Sequence, residues 1–137
     1  MRFEDFLDFH KINSEGNPLF GIYFEQVELN DDSFQKIEGI LGFQFPNHFK
    51  QFWLYFKAKY FGGLVLLPVE TNQKGSILQV LKKIDFFLPR YIPFCDDQTG
   101  GHYCFETNGN IVFLDEVGNL EVTEYLDFLD FVIKNAY

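Results

Sequence analysis

The residues best equipped for chemistry sit close together in the last third of the chain. Cys95, Asp96, Asp97, His102 and Cys104 bring two thiols, two carboxylates and an imidazole into one short stretch. These are zinc-competent ligand types, but their spacing matches neither the Cys-x2-Cys nor the His-x3-His patterns of zinc sites. Cys95 and Cys104 could also pair across strands, or pack as small apolar groups, since free cysteine is among the most buried residue types. His102 and Cys104, two apart on a strand, would share a face. A thiol–imidazole nucleophile also needs an orienting acid and an oxyanion donor, and the sequence implies neither. Asp96 and Asp97 would point to opposite faces if extended; in a turn they are backbone caps. The chain has no P-loop, no dinucleotide fingerprint and no Gly-x-Ser-x-Gly elbow. A metal- or small-ligand-dependent enzyme at the 95–104 hairpin is therefore the weakest of three readings, and no catalytic residue, metal or cofactor is assigned.

The elements around this stretch read as strands joined by tight turns. Tyr91, Ile92 and Phe94 form one apolar run, Asp96 to Gly101 supply turn chemistry, and His102 to Phe105 resume the strand pattern. Asn108-Gly109-Asn110 then precedes Ile111-Val112-Phe113-Leu114, and Asn-Gly between apolar runs is a hairpin signal. A turn at Glu116-Val117-Gly118-Asn119 leads to Leu120-Glu121-Val122. An antiparallel meander over residues 91–122 follows.

Upstream, Phe3, Phe6 and Leu7 have helical spacing, and residues 13–18 break that helix. Leu19 to Phe24 reads as a short strand or extended linker, and Phe9 and His10 have no evident role. Asn30 to Ser33 opens a second helix with Asp32 as cap and Gln35 completing a capping box. That helix carries Phe34, Ile37, Ile40 and Leu41 to a stop at Gly42. Pro46 suits the first turn of a third helix. Its stripe Phe49, Phe52, Trp53, Phe56 and Tyr60 runs to Gly62-Gly63 and reads as a core face rather than a platform for stacking bases. Leu64 to Val69 suits a buried strand, Glu70 to Gly75 a loop, and residues 77–88 a helix capped by Ser76 and stopped by Pro89. Thr123 would cap a last helix burying Leu126, Phe128, Leu129, Val132 and Ile133. The expected fold is α+β: one domain over residues 1–137, an antiparallel-rich mixed sheet, and helices packed mainly on one face.

Composition supports a core without disulfide or metal staples: 137 residues, 47% apolar, with 19 phenylalanines. The longest apolar run, Leu64 to Val69, is far short of the roughly 20 residues of a membrane span. The first residues, Met1-Arg2-Phe3-Glu4-Asp5, carry acid where a signal peptide has a cationic start. A cytoplasmic location is expected, with reduced thiols. The net charge is −9, and its placement matters more than its size. Residues 1–90 hold 11 acids and 10 bases. Residues 91–137 hold nine acids (Asp96, Asp97, Glu106, Asp115, Glu116, Glu121, Glu124, Asp127 and Asp130) against one base, Lys134. Phosphate binding needs a cationic footprint, which argues against direct nucleic-acid binding. An acidic block fits a basic protein partner, or a solvated face that aids solubility.

Three segments resemble the SUKH superfamily, which groups bacterial toxin-neutralising immunity proteins with a yeast regulator of cell-wall synthesis. The first is Ile37-Glu38, then Leu41-Gly42-Phe43-Gln44-Phe45-Pro46, then Phe49-Lys50-Gln51-Phe52. The second is Tyr91-Ile92-Pro93-Phe94, the Asp/Gly turn, and Tyr103-Cys104-Phe105. The third is the closing strand, turn and short helix, Glu124 to Val132. The likeness spans roughly residues 30 to 135. His102 departs from the family's usual Asp or Asn after Gly, Phe45 from its Leu before Pro, and Glu106 stands near where an Asp commonly follows the second strand. The resemblance implies a non-catalytic immunity protein that binds and neutralises a cognate toxin, basic and nuclease-like. Asp96, Asp97, Glu106, Asp115, Glu116 and Glu121 would form its recognition rim, with Tyr91 or Tyr103 as an aromatic anchor. A regulatory scaffold without a toxin partner is the alternative implied by the eukaryotic branch.

Overall fold

The structure, a computed structural model, describes residues 1–22, 26–70, 73–84 and 90–137. Six strands form one sheet in chain order: β1 (Tyr60–Phe61), β2 (Leu64–Leu66), β3 (Tyr91–Asp96), β4 (His102–Glu106), β5 (Ile111–Leu114) and β6 (Leu120–Val122). Each neighbouring pair is antiparallel. The meander over residues 91–122 is therefore present, and β1–β2 extends it at the other edge. Tight turns explain this simple order, because antiparallel neighbours need only short connections. Gly109 and Gly118 take positive φ in the turns after β4 and β5, the backbone region in which glycine is unhindered.

The helices are α1 (Phe3–Ser14), α2 (Leu19–Ile22), α3 (Asp31–Leu41), α4 (Asn47–Phe56), α5 (Ile77–Lys83) and α6 (Phe128–Ala136). Antiparallel pairing sets Ile92, Phe105 and Ile111 on one face of the sheet. There Phe94 stacks on Phe105 at 4.2 Å between ring centres, and Phe49 of α4 and Phe128 of α6 meet Phe105 and Phe94 edge-on. Phe6 of α1 and Phe34 of α3 join the same cluster through Phe52 and Phe49. Each such pair contributes about 0.5–1.5 kcal/mol beyond area burial. The α+β architecture with helices massed on one face is as expected, and the aromatic stripe is core.

Several boundaries differ from the sequence reading. Residues 19–22 form a helical turn rather than a strand; Asn17 Oδ1 accepts from the Leu19 N–H at 3.0 Å and starts it. The remainder of that expected strand, residues 23–24, lies outside the described residues. Asn30 rather than Asp32 caps α3: Asn30 and Ser33 exchange side-chain and backbone hydrogen bonds, both at 3.2 Å. The aromatic helix ends at Phe56, where Lys57 takes a left-handed conformation (φ 48°), so Tyr60 belongs to β1. Gly62 and Gly63 make the β1–β2 turn instead of stopping a helix, and the Gly63 N–H donates to Ala136 O at 2.8 Å. The strand β2 is shorter than residues 64–69. The helix expected over 77–88 runs from Ile77 to Lys83, with the Ile84 backbone extended; residues 85–88 lie outside the described residues. Asp127, not Thr123, caps α6, its carboxylate accepting from Asp130 N–H at 2.8 Å. Leu126 consequently precedes the helix and is exposed.

Two connections hold the helices in register. Glu38 of α3 accepts from Phe45 N–H at 2.8 Å and pairs with Lys50 of α4 at 2.8 Å, spanning the Gly42–Pro46 turn. His10 of α1 lies 5.0 Å from the rings of Phe56 and Phe61, and its Nδ1 sits 2.9 Å from the Tyr137 hydroxyl. That packing role is the one the sequence left without an assignment.

Candidate binding surface at the acidic end of the sheet

Strand polarity sorts the acidic residues. The β3–β4 and β5–β6 turns lie at the same end of the sheet, and the β4–β5 turn at the other. Asp96 and Asp97 from the first turn therefore share an end with Asp115 and Glu116 from the third. Glu116 packs against Gly100, where an added Cβ would come within 3.1 Å of its carboxylate. Tyr91 and Glu106 are paired at the opposite end, about 13 Å away along β4 at roughly 3.3 Å per residue. They flank a separate depression with Arg90 and Thr107. The structure thus brings together Asp96, Asp97, Asp115 and Glu116, and sets Tyr91 and Glu106 apart from them.

Most aspartates of this end are committed to backbone. Asp96 accepts from Gln98 N–H at 2.7 Å. Asp97 accepts from the N–H groups of Thr99 (2.8 Å) and Gly101 (3.0 Å) and from the Thr99 hydroxyl (2.6 Å). Burial opposes ionisation of Asp97, but these donors outweigh it and hold its pKa below the usual carboxylate range. Asp115 accepts from Asn119 N–H (2.8 Å) and Val117 N–H (3.0 Å), and those bonds, the Asn119 one foremost, lower its pKa as well. Asp130 accepts from Leu126 N–H at 3.0 Å and pairs with Lys134 at 3.1 Å. Glu116, Glu121 and Glu124 make no such bonds among the described residues, so their charges face outward.

Register also builds a cleft. Tyr103, Phe113 and Glu121 are directly paired across β4, β5 and β6 and so share one face. They line a cleft of about 420 Å³ with Asp97, Glu124, Tyr125 and Lys134, closed on one side by the segment that turns from β6 into α6. Tyr103 rests on Phe131 of α6 at 4.8 Å and is half-buried. Burial, then the neighbouring Tyr125, pushes its pKa up to about 12, so it is a neutral phenol. Gly101 matters here because a Cβ at that position would collide with the Phe113 ring. Sequence reasoning placed Asp97, Tyr103 and Glu121 at the site but missed Phe113, Glu124, Tyr125 and Lys134. The two tight turns fix the register that aligns Phe113 with Tyr103, so that part was recoverable; the fold-back of residues 123–125 was not.

Register splits the thiol–imidazole stretch: His102 and Cys104 share a face of β4, and Cys95 lies on the other. Cys95 pairs with Tyr103 and Cys104 with Pro93, which sets the two cysteines on opposite faces, and both are free. Each is essentially inaccessible, and burial drives both thiol pKa values far up, away from the reactive thiolate. His102 is buried too, and its pKa falls because burial outweighs the fields of Asp96 and Asp97. Among the described residues no three His, Cys, Asp or Glu side chains are grouped to hold a metal ion.

A family model described as SMI1-KNR4 cell-wall, of the SUKH_5 group, matches residues 20–135. The chain belongs to the SUKH superfamily. The SUKH motifs quoted from the sequence are the pieces seen as structural joints: the Glu38–Lys50 clasp over Gly42–Pro46, the β3–β4 hairpin and α6. A crystal structure of a protein from Pseudomonas syringae pv. tomato is similar in fold, with a TM-score of 0.64 and 23% identity over 95% of each chain. No curated protein matches this SUKH chain in sequence. No helix among its described residues is long and apolar enough to cross a membrane.

Proposed function

We propose that this SUKH protein is a non-catalytic immunity protein of the cytoplasm that neutralises a basic, nuclease-like toxin by covering its cationic surface. The carrying observation is the convergence of Asp96, Asp97, Asp115, Glu116, Glu121 and Glu124 on one end and edge of the sheet, with Lys134, itself paired with Asp130, as the only cation lining the cleft among the described residues. A nuclease must be cationic where it holds phosphate, and a rigid acidic surface complements that charge. The backbone-capping aspartates fix the turn geometry in advance, so little ordering cost falls on binding. Tyr103 is the anchor candidate on this surface; Glu106 lines a neighbouring depression with Glu124 and Tyr125, and Tyr91, at the far end, would contact only a partner large enough to span both ends.

The test is a pull-down with this protein as bait from native lysate, followed by a nuclease assay of the recovered partner with and without the bait. A salt-sensitive complex with a basic protein whose nuclease activity is blocked is the expected result. Reversing Asp115 and Glu116 to lysine should slow association and flatten its salt dependence. A recovered partner that keeps full activity in the complex would overturn the immunity reading. The family description, which names the cell wall, favours as second reading a regulatory scaffold, identified by a partner that is not a toxin.

A further inference from the structure

The last strand of the sheet has an open edge. β6 pairs with β5 on one side only. The bond from Asp115 N–H to Asn119 O, 3.0 Å, makes that pair a hydrogen-bonded one. Such pairs alternate along an antiparallel ladder, so Glu121 also bonds toward β5, while Leu120 and Val122 turn their N–H and C=O groups outward. Neither main chain has another partner among the described residues. Their side chains are exposed as well, Leu120 at 44% and Val122 at 84%. Between them, on the other face, Glu121 points into the cleft shared with Asp97 and Glu124.

We propose that this edge receives an extended segment of a basic protein partner, which adds as a seventh strand and alternates apolar and cationic side chains. A strand on this edge places its apolar residues beside Leu120 and Val122 and its intervening Lys or Arg beside Glu121, facing Asp97 and Glu124. Main-chain bonds would supply affinity and the alternation would supply selectivity. Charge selects this occupant over a second copy of the chain. Antiparallel self-pairing of β6 centred on Glu121 would set Glu121 directly opposite Glu121, which is destabilising. The glutamate thus protects an apolar edge against self-association while leaving it open to a cation. This inference rests on the basic partner of the proposed function and specifies how it docks.

The test uses the full chain, isotopically labelled, and three synthetic nine-residue peptides: alternating Val and Lys, the same composition in blocks, and alternating Val and Glu. The alternating Val/Lys peptide should shift and protect the amides of Leu120 and Val122, and bind at least tenfold tighter than the other two. Glu121→Lys should reverse the preference between the Lys and Glu peptides, a readout that leaves the edge hydrogen bonds intact. Equal binding of the block peptide, absence of shifts at Leu120 and Val122, or concentration-dependent dimerisation of the wild type through β6 would overturn the proposal. If a toxin binds but Glu121→Lys leaves its Kd unchanged, the edge is refuted and the immunity reading stands. If the peptides behave as expected but no toxin is neutralised, the reverse holds.

Discussion

Gly62 is where sequence and tertiary structure press hardest on each other, and Gly62→Ala should be among the most damaging small substitutions in this protein. Gly62 sits at φ +56° in the β1–β2 turn. A non-glycine residue in the left-handed region costs about 1–2 kcal/mol. An added Cβ would also run into the Ala136 carbonyl oxygen and come within 2.7 Å of Phe20 Cζ. Turning the Phe20 ring about its own axis leaves Cζ in place, so relief there needs a new χ1 against the packing of His10, Phe61 and Tyr137. The carbonyl cannot move, because it ends α6 and is held by the 2.8 Å bond from Gly63 N–H. Overpacking against backbone costs about 1–3 kcal/mol, and loss of the Gly63–Ala136 bond adds about 0.5–1.5 kcal/mol. The expected total is about 2.5–6.5 kcal/mol, a large part of the stability of a typical domain.

Gly42 supplies the control. It has nearly the same φ, +64°, at the C-terminus of α3, but an added Cβ meets nothing within 4 Å. Gly42→Ala should therefore cost only the conformational term, about 1–2 kcal/mol. Urea unfolding of both variants, followed by tryptophan fluorescence of the buried Trp53, gives the two values side by side. If Gly62→Ala costs no more than Gly42→Ala, the close approach of α6 to the β1–β2 turn is wrong, and with it the account of why glycine stands there.

Glu38→Ala should cost about 2–4 kcal/mol, because it strips the charged acceptor from Phe45 N–H and leaves Lys50 without its partner; Lys50→Ala should cost less, and the reverse order by urea melts would refute the clasp. His10 and His102 have pKa values lowered by burial, so the unfolded chain takes up their protons first. Their stabilisation is complete above the unfolded value of about 6.5 and is lost as pH falls through it toward the lower folded value. The stability of wild type relative to His10→Gln should shrink on acidification across that window, and a growing wild-type advantage in thermal melts would contradict the burial of His10. Cys95 and Cys104 should react with a thiol reagent only as fast as the chain opens, so prompt labelling of native protein would refute their burial.

Much of this SUKH fold was legible because its signals are local. Turn residues punctuate the meander, and Asn108-Gly109-Asn110 and Val117-Gly118-Asn119 fix both strand order and register. The period of Phe49, Phe52, Trp53 and Phe56 marks a buried helix face whatever it packs against. The concentration of acid after residue 90 is a property of composition alone. The errors came where a periodic pattern was overruled by a cap, a turn or a strand pairing. Tyr60 continues the helical spacing of α4, yet Lys57 turns the chain and Tyr60 pairs with Val65 in β1. Leu126 fits an apolar helix face, yet Asp127 caps the helix one residue later and leaves it outside.

The candidate surface divides the same way. Sequence by itself determined that the C-terminal third is an acidic, strand-rich frame with aspartates in its turns, since charge and turn chemistry are carried by individual residues. It could not separate Glu106 and Tyr91 from the other rim residues, because their distance depends on which strand ends lie together. Nor could it place Glu124 and Tyr125 beside Tyr103, since that contact is made by a fold-back held against α6. Cys95, His102 and Cys104 looked like one group in the chain; His102 and Cys104 do share a face of β4, but pairing sets Cys95 opposite Tyr103 on the other face, because a β-strand sends alternate side chains to opposite faces and the register then sets which neighbours each face receives.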